Sequence, residues 1–190
     1  MRVRFPSVGV CTRIVAALLC IMTIEAAHGA ATPAPQPSNA ISLPRAKVIL
    51  PAGWERQTPT SAMRAAQAVI PGAGGPGELT IFFFGEGQGG GVDANIARWT
   101  SQVDPGPRGV PTRQSFTVGP FKITWVELAG TLKPGTMGMG PSAPQPNTRV
   151  LGAVVEGPGG PWFFRATGPD KTIAAQREAF LGMLRSIEAN

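Results

Sequence analysis

The chain has 190 residues and a net charge of +6, which is length for one domain with a mildly basic balance. It contains two Cys, one His and no Tyr, and Cys11, Cys20 and His28 all fall within residues 1–30. Beyond residue 30 this excludes Ser-His-Asp and Cys-His nucleophiles, His/Cys sites for zinc, copper or haem, and disulfides.

The chain opens MRVRFPSVGVCTR, basic and free of acids, followed by IVAALLCIMTI, an apolar run of 11 residues. That run is too short to span a bilayer as a helix. A basic n-region, a short apolar stretch and the small residues around Ala30 predict a secretory signal peptide over 1–30. Retention as an N-terminal anchor is the alternative. Leu19 precedes Cys20, where a lipidated cysteine usually follows Gly, Ala or Ser, so lipidation is not expected. The signal carries three Arg and one Glu, leaving 14 Lys+Arg against 10 Asp+Glu, +4, on the rest. These charges are single residues spaced along the chain. Nucleic-acid binding needs a basic stripe and is not expected. No stable membrane span is expected once the signal is cleaved, and the expected location is periplasmic or secreted.

Residues 31–46 are rich in Ala, Pro and Ser and predict a flexible tether. A single domain is then expected over 47–190. KVILP (47–51) predicts a short strand and AGWERQTPT a turn. SAMRAAQAVI (61–70) has mixed periodicity: its place between turn signals favours a strand, and its alanines favour a helix. GELTIFFF (77–84), apolar on both faces, predicts a buried central strand. Asp93 predicts an N-cap for a helix running to about Val103, with Ile96, Trp99 and Val103 on one face. RQSFTVG (113–119) and FKITWVELAG (121–130) predict a hairpin about Gly119-Pro120. A long Gly/Pro loop follows at 131–147. TRVLGAVVEG (148–157) and PWFFRATG (161–168) predict a second hairpin, and one helix is expected from Asp170 to Ile187. Strands and helices do not alternate. The fold class is therefore α+β, an antiparallel sheet of about six strands with two packed helices.

Residues 85–91 read GEGQGGG between a strand and a helix, and Gly85, Gly87 and Gly90 satisfy G-x-G-x-x-G. A dinucleotide fingerprint needs a parallel strand after the helix and an acid near its end. Here Asp104 lies in the breaker DPGPRG and hairpins follow, so no nucleotide is expected. The loop reads first as a tight turn that brings the helix close to the sheet. Its backbone amides, with Arg98 or Lys171, are a secondary candidate for anion binding.

The candidate binding surface is Glu86, Gly87, Gly89, Asp93 and Arg98. Glu86, Asp93, Glu127 and Glu156 are the candidate acids for a carboxylate-based hydrolase, which needs two of them across one cleft. Met137 and Met139 are a thioether pair too poor in ligands for a copper site. No catalytic residue, metal or cofactor is assigned.

GW (53–54), SAMRAAQAVIPG (61–72), LTIFFFGEGQGG (79–90), NIARWTSQ (95–102), LGAVVEGPGGPWFFRATGP (151–169) and the closing F-L-x-x-L-x-S-I (180–187) resemble a group of uncharacterised exported bacterial proteins. In topology the hairpins with a terminal helix are similar to the PsbP-like α/β/α sandwich. This resemblance implies a domain that binds or scaffolds other proteins and transfers no site residue. The expectation is an exported, non-enzymatic accessory or binding module for a protein or small ligand of the cell envelope. The hydrolase is its alternative.

Overall fold

The computed structural model describes residues 39–108, 110–135 and 141–190. The signal segment, the first part of the tether, Cys11, Cys20, His28, Met137 and Met139 lie outside the described residues. The strands are β1 (Ala40–Leu43), β2 (Ala46–Ile49), β3 (Glu55–Gln57), β4 (Arg64–Ile70), β5 (Gly77–Phe83), β6 (Val103–Asp104), β7 (Thr112–Val118), β8 (Phe121–Leu132), β9 (Gln145–Glu156), β10 (Trp162–Pro169) and β11 (Glu188–Ala189). The helices are α1 (Val92–Ser101), α2 (Asp170–Ala175) and α3 (Arg177–Arg185).

The fold is α+β, with few helices. Eight strands form the main sheet, in the order β3-β4-β5-β10-β9-β8-β6 with β7 also on β8. A second sheet has the order β1-β2-β11. All pairing among the described strands is antiparallel. The count exceeds the expected six because β3 and β6 have three and two residues, too few for any periodicity to be visible.

Each face of the main sheet carries its own core. On one face Leu79, Ile81, Ile123, Trp125, Leu151, Ala153 and Phe164 pack with Phe180, Leu181 and Leu184 of α3 and with the small sheet. On the other, Ile96 and Trp99 of α1 pack on Val126, Leu128, Val150, Val154 and Phe163. Alternate residues of one strand serve the two cores, which explains why GELTIFFF is apolar without alternation. β5 lies inside the sheet, as expected for a central strand.

Four expectations need correction. The tether does not extend to 46: Ile41 and Leu43 are buried on β1, which turns through Pro44-Arg45 onto β2. AGWERQTPT is not all turn, since its Glu55–Gln57 pairs with β4. The last helix is not continuous. It breaks at Gln176, whose side chain accepts from Trp54 Nε1 at 2.9 Å and donates to the Pro71 carbonyl at 3.3 Å. The long loop is shorter than expected, because β8 runs to Leu132 and β9 starts at Gln145.

Candidate functional site

The loop at 85–91 leaves β5 and folds on itself. Gln88 N–H donates to the Gly85 carbonyl and Gly87 N–H to the Gly160 carbonyl, each at 3.1 Å. Asn95, buried on α1, reaches back with Nδ2 to the carbonyls of Gly89 (2.9 Å) and Gly91 (3.0 Å). A buried amide that satisfies two loop carbonyls fixes the loop against the helix. Gly89 lies against the Phe163 ring. Two of the loop's amides are therefore spent on its own fold. The chain leaves α1 for β6, antiparallel to β8 at the far side of the sheet, so no βαβ unit exists here.

Asp93 is not the N-cap. Gly91 holds that position without a side-chain cap bond, and Asp93 stands in the first turn. Its carboxylate instead takes a bond from Arg113 Nη2 at 2.7 Å. Trp99 enters the core over β9. Its indole fills the space over Gly152, where a Cβ would meet Cε3 at 2.5 Å.

Two shallow hollows adjoin the loop and share Gly91, Val92 and Glu156. The first, about 360 Å³, is lined largely by backbone, including Gly87, Gly157 and Gly160. The second, about 410 Å³, is lined by Asp93, Arg113, Ser115, Lys122, Thr124 and Glu156. The register of the β7–β8 hairpin sets its polar wall. Ser115 faces Thr124, with 3.0 Å between hydroxyls, and Lys122 stands opposite Glu156 across β8–β9. The result is an open groove with both signs of charge and two hydroxyls.

The predicted site residues do not converge. Gly87 lines the first hollow and Asp93 the second, whereas Glu86, Gly89 and Arg98 line neither. Arg98 follows Asp93 by five residues, about 140° further round the helix axis, and so points elsewhere. Its Nη2 donates to Asn95 Oδ1 at 2.6 Å. Lys171 is also remote from the loop and lies against Gly74. Of the four candidate acids, only Asp93 and Glu156 share a hollow. Glu127 sits on the opposite face in an ion network. Arg149 bonds both Glu127 and Asp170 (2.8 Å to the latter), and Arg177 Nε lies 3.4 Å from Glu127. Arg177 also stacks over Trp125, 5.3 Å from the ring centroid. Burial pushes the Arg149 pKa down, but bonds to Asp170 and Glu127 outweigh it and leave the guanidinium above its ordinary value. The network reads as structural, joining α2 and α3 to β8 and β9.

Arg113, Ser115, Lys122 and Thr124 were missed. They are polar at every second position of two strands joined at Gly119-Pro120, and pairing those strands on paper would have set them side by side. Among the described residues, no three His, Cys, Asp or Glu side chains converge as metal ligands. No family model matches the chain, and no curated protein matches it in sequence.

Proposed function

We propose that this chain is an exported accessory module that binds a polar, mixed-charge partner or ligand in the groove between the glycine loop and the β7–β8 hairpin, without chemistry of its own. The groove carries the reading. It sets Arg113, Lys122, Asp93 and Glu156 around two hydroxyls on rigid strands and a helix start, an arrangement suited to polar recognition. The leader-like 1–30 supports export, to the periplasm or beyond. The resemblance of the motifs to exported bacterial proteins supports export, and the resemblance of the predicted topology to PsbP-like domains supports a binding role.

Envelope extracts passed over wild type, an Arg113→Ala/Lys122→Ala pair and an Arg98→Ala/Glu86→Ala pair test the surface. The first pair loses captured partners and the second keeps them. Identical profiles for all three would sink the groove. Mass spectrometry of the exported protein should show a start near Ala31, and an intact Met1 in the envelope fraction argues against cleavage.

The shared hollow of Asp93 and Glu156 favours a second reading, a carboxylate-based hydrolase. Against it, the Asp93 carboxylate is already held by Arg113. A panel of chromogenic glycosides decides: no turnover by wild type, or turnover untouched by Glu156→Gln, removes it.

A further inference from the structure

A second polar feature lies on the α1 face of the sheet, away from the groove. The register of β9, β10, β5 and β4 sets Gly152, Arg165, Thr80 and Gln67 in one row across this face. Trp99 of α1 covers Gly152, the β9 partner of Arg165, and Arg98 precedes Trp99 on the same helix, near enough for its charge to act on Arg165. Arg165 Nε is buried and has no hydrogen-bond partner among the described residues. The nearest acid cannot serve it fully. Glu78 Oε1 already takes Arg64 Nη1 and Gln67 Nε2, each at 2.8 Å. Burial, and then the like charge of Arg98, push the Arg165 pKa below the ordinary arginine value, with Glu78 only partly offsetting them.

A buried guanidinium nitrogen left without an acceptor is costly. Two guanidinium forks on different elements, Arg165 with its buried Nε unpaired and Arg98 exposed and bonded to Asn95 through Nη2, are what oxyanion recognition uses, since each offers N–H donors matched to carboxylate or phosphate. We propose that Arg165 and Arg98 form a binding site for a small oxyanion, a carboxylate or phosphate group, held between β10 and α1. It is independent of the groove. The incoming anion supplies the bond that Arg165 Nε lacks and neutralises two like charges that otherwise repel.

Thermal melts and titration calorimetry with inorganic phosphate, sulfate and acetate, against chloride at equal ionic strength, test the site. Separate titrations tell a phosphate site from a carboxylate site. At least one anion raises Tm of wild type by a few degrees, because a ligand of the native state stabilises it by mass action. Arg165→Gln and Arg98→Gln each weaken that anion about tenfold or more. Arg98 is exposed, so its variant folds even where the Arg165 change disturbs the core. Arg165→Met raises Tm of the anion-free protein while abolishing the response, because it removes a partly buried charge whose Nε has no acceptor. No response of wild type to any of the three anions overturns the proposal. So does an affinity unchanged in both Gln variants. Loss of the response in Arg113→Ala with retention in Arg165→Gln moves the anion to the groove and overturns it too.

Discussion

Gly89 has φ +87° and no room for a side chain: a Cβ there would stand 2.5 Å from Phe163 Cε2. Gly87 has φ +69° with nothing within 4 Å. Alanine at Gly87 therefore meets only the left-handed backbone and lowers stability by about 1 kcal/mol. At Gly89 the same change must also displace the Phe163 ring and lowers it by about 2 kcal/mol or more. Urea unfolding of the two variants measures the gap, and equal losses would contradict the packing argument. The sequence shows the five glycines of 85–91 as equals, because nothing local says which one faces a ring on β10. The same limit applied to Asp93. Its position before an apolar helix face predicts a cap, yet Arg113, 20 residues on, claims the carboxylate. Nothing local marks Arg165, one charge inside PWFFRATG. That its neighbour across β9 is a glycine roofed by Trp99 emerges only from the register.

Two ion-paired sites stand on opposite faces of the sheet and differ in burial. Glu127 exposes 11% of its side chain and bonds Arg149, which also holds Asp170. Arg113 and Asp93 expose 49% and 85%. Glu127→Gln leaves two guanidinium groups short of an acceptor and lowers stability by about 2 kcal/mol. Arg113→Ala stays within about 1 kcal/mol, since exposed pairs are screened by water. Chemical denaturation of both variants checks the contrast, and a stable Arg113→Ala protein also makes its binding result interpretable. The hairpins were legible because alternation and a Gly-Pro turn lie within a few residues of one another. The break at Gln176 was not: an apolar helical face runs through it, and the break comes from tertiary bonds to Trp54 and Pro71, over 100 residues away.

For the whole domain, the boundary moves from 47 to about 39. Composition marks 31–46 as a tether, but ISL at 41–43 places Ile41 and Leu43 in the core, 1% and 3% exposed. Three residues cannot display a strand period, and β1 has no value without β2 to pair with. A fragment covering 39–190 should fold cooperatively, whereas one covering 47–190 loses both side chains and melts well below it. Circular dichroism melts of the two decide, and matching Tm values would return the boundary to 47.

The small sheet also fixes how the domain bears load. β1 and β11 each run antiparallel to β2, hence parallel to each other, with β2 between them. Asn39 lies at one end of β2, accepting from Leu50 N–H, and Asn190 at the other, donating to the Arg45 carbonyl. Tension between these two ends drags β1 and β11 in opposite directions along β2. Ladder bonds lie across the strands, so they are strained in shear and together, not peeled one by one. β11 contributes only two residue pairs and is the weak link. In single-molecule pulling from residues 39 and 190, its release should be a small first rupture that is absent when 188–190 are deleted and the force is applied at residue 187 instead.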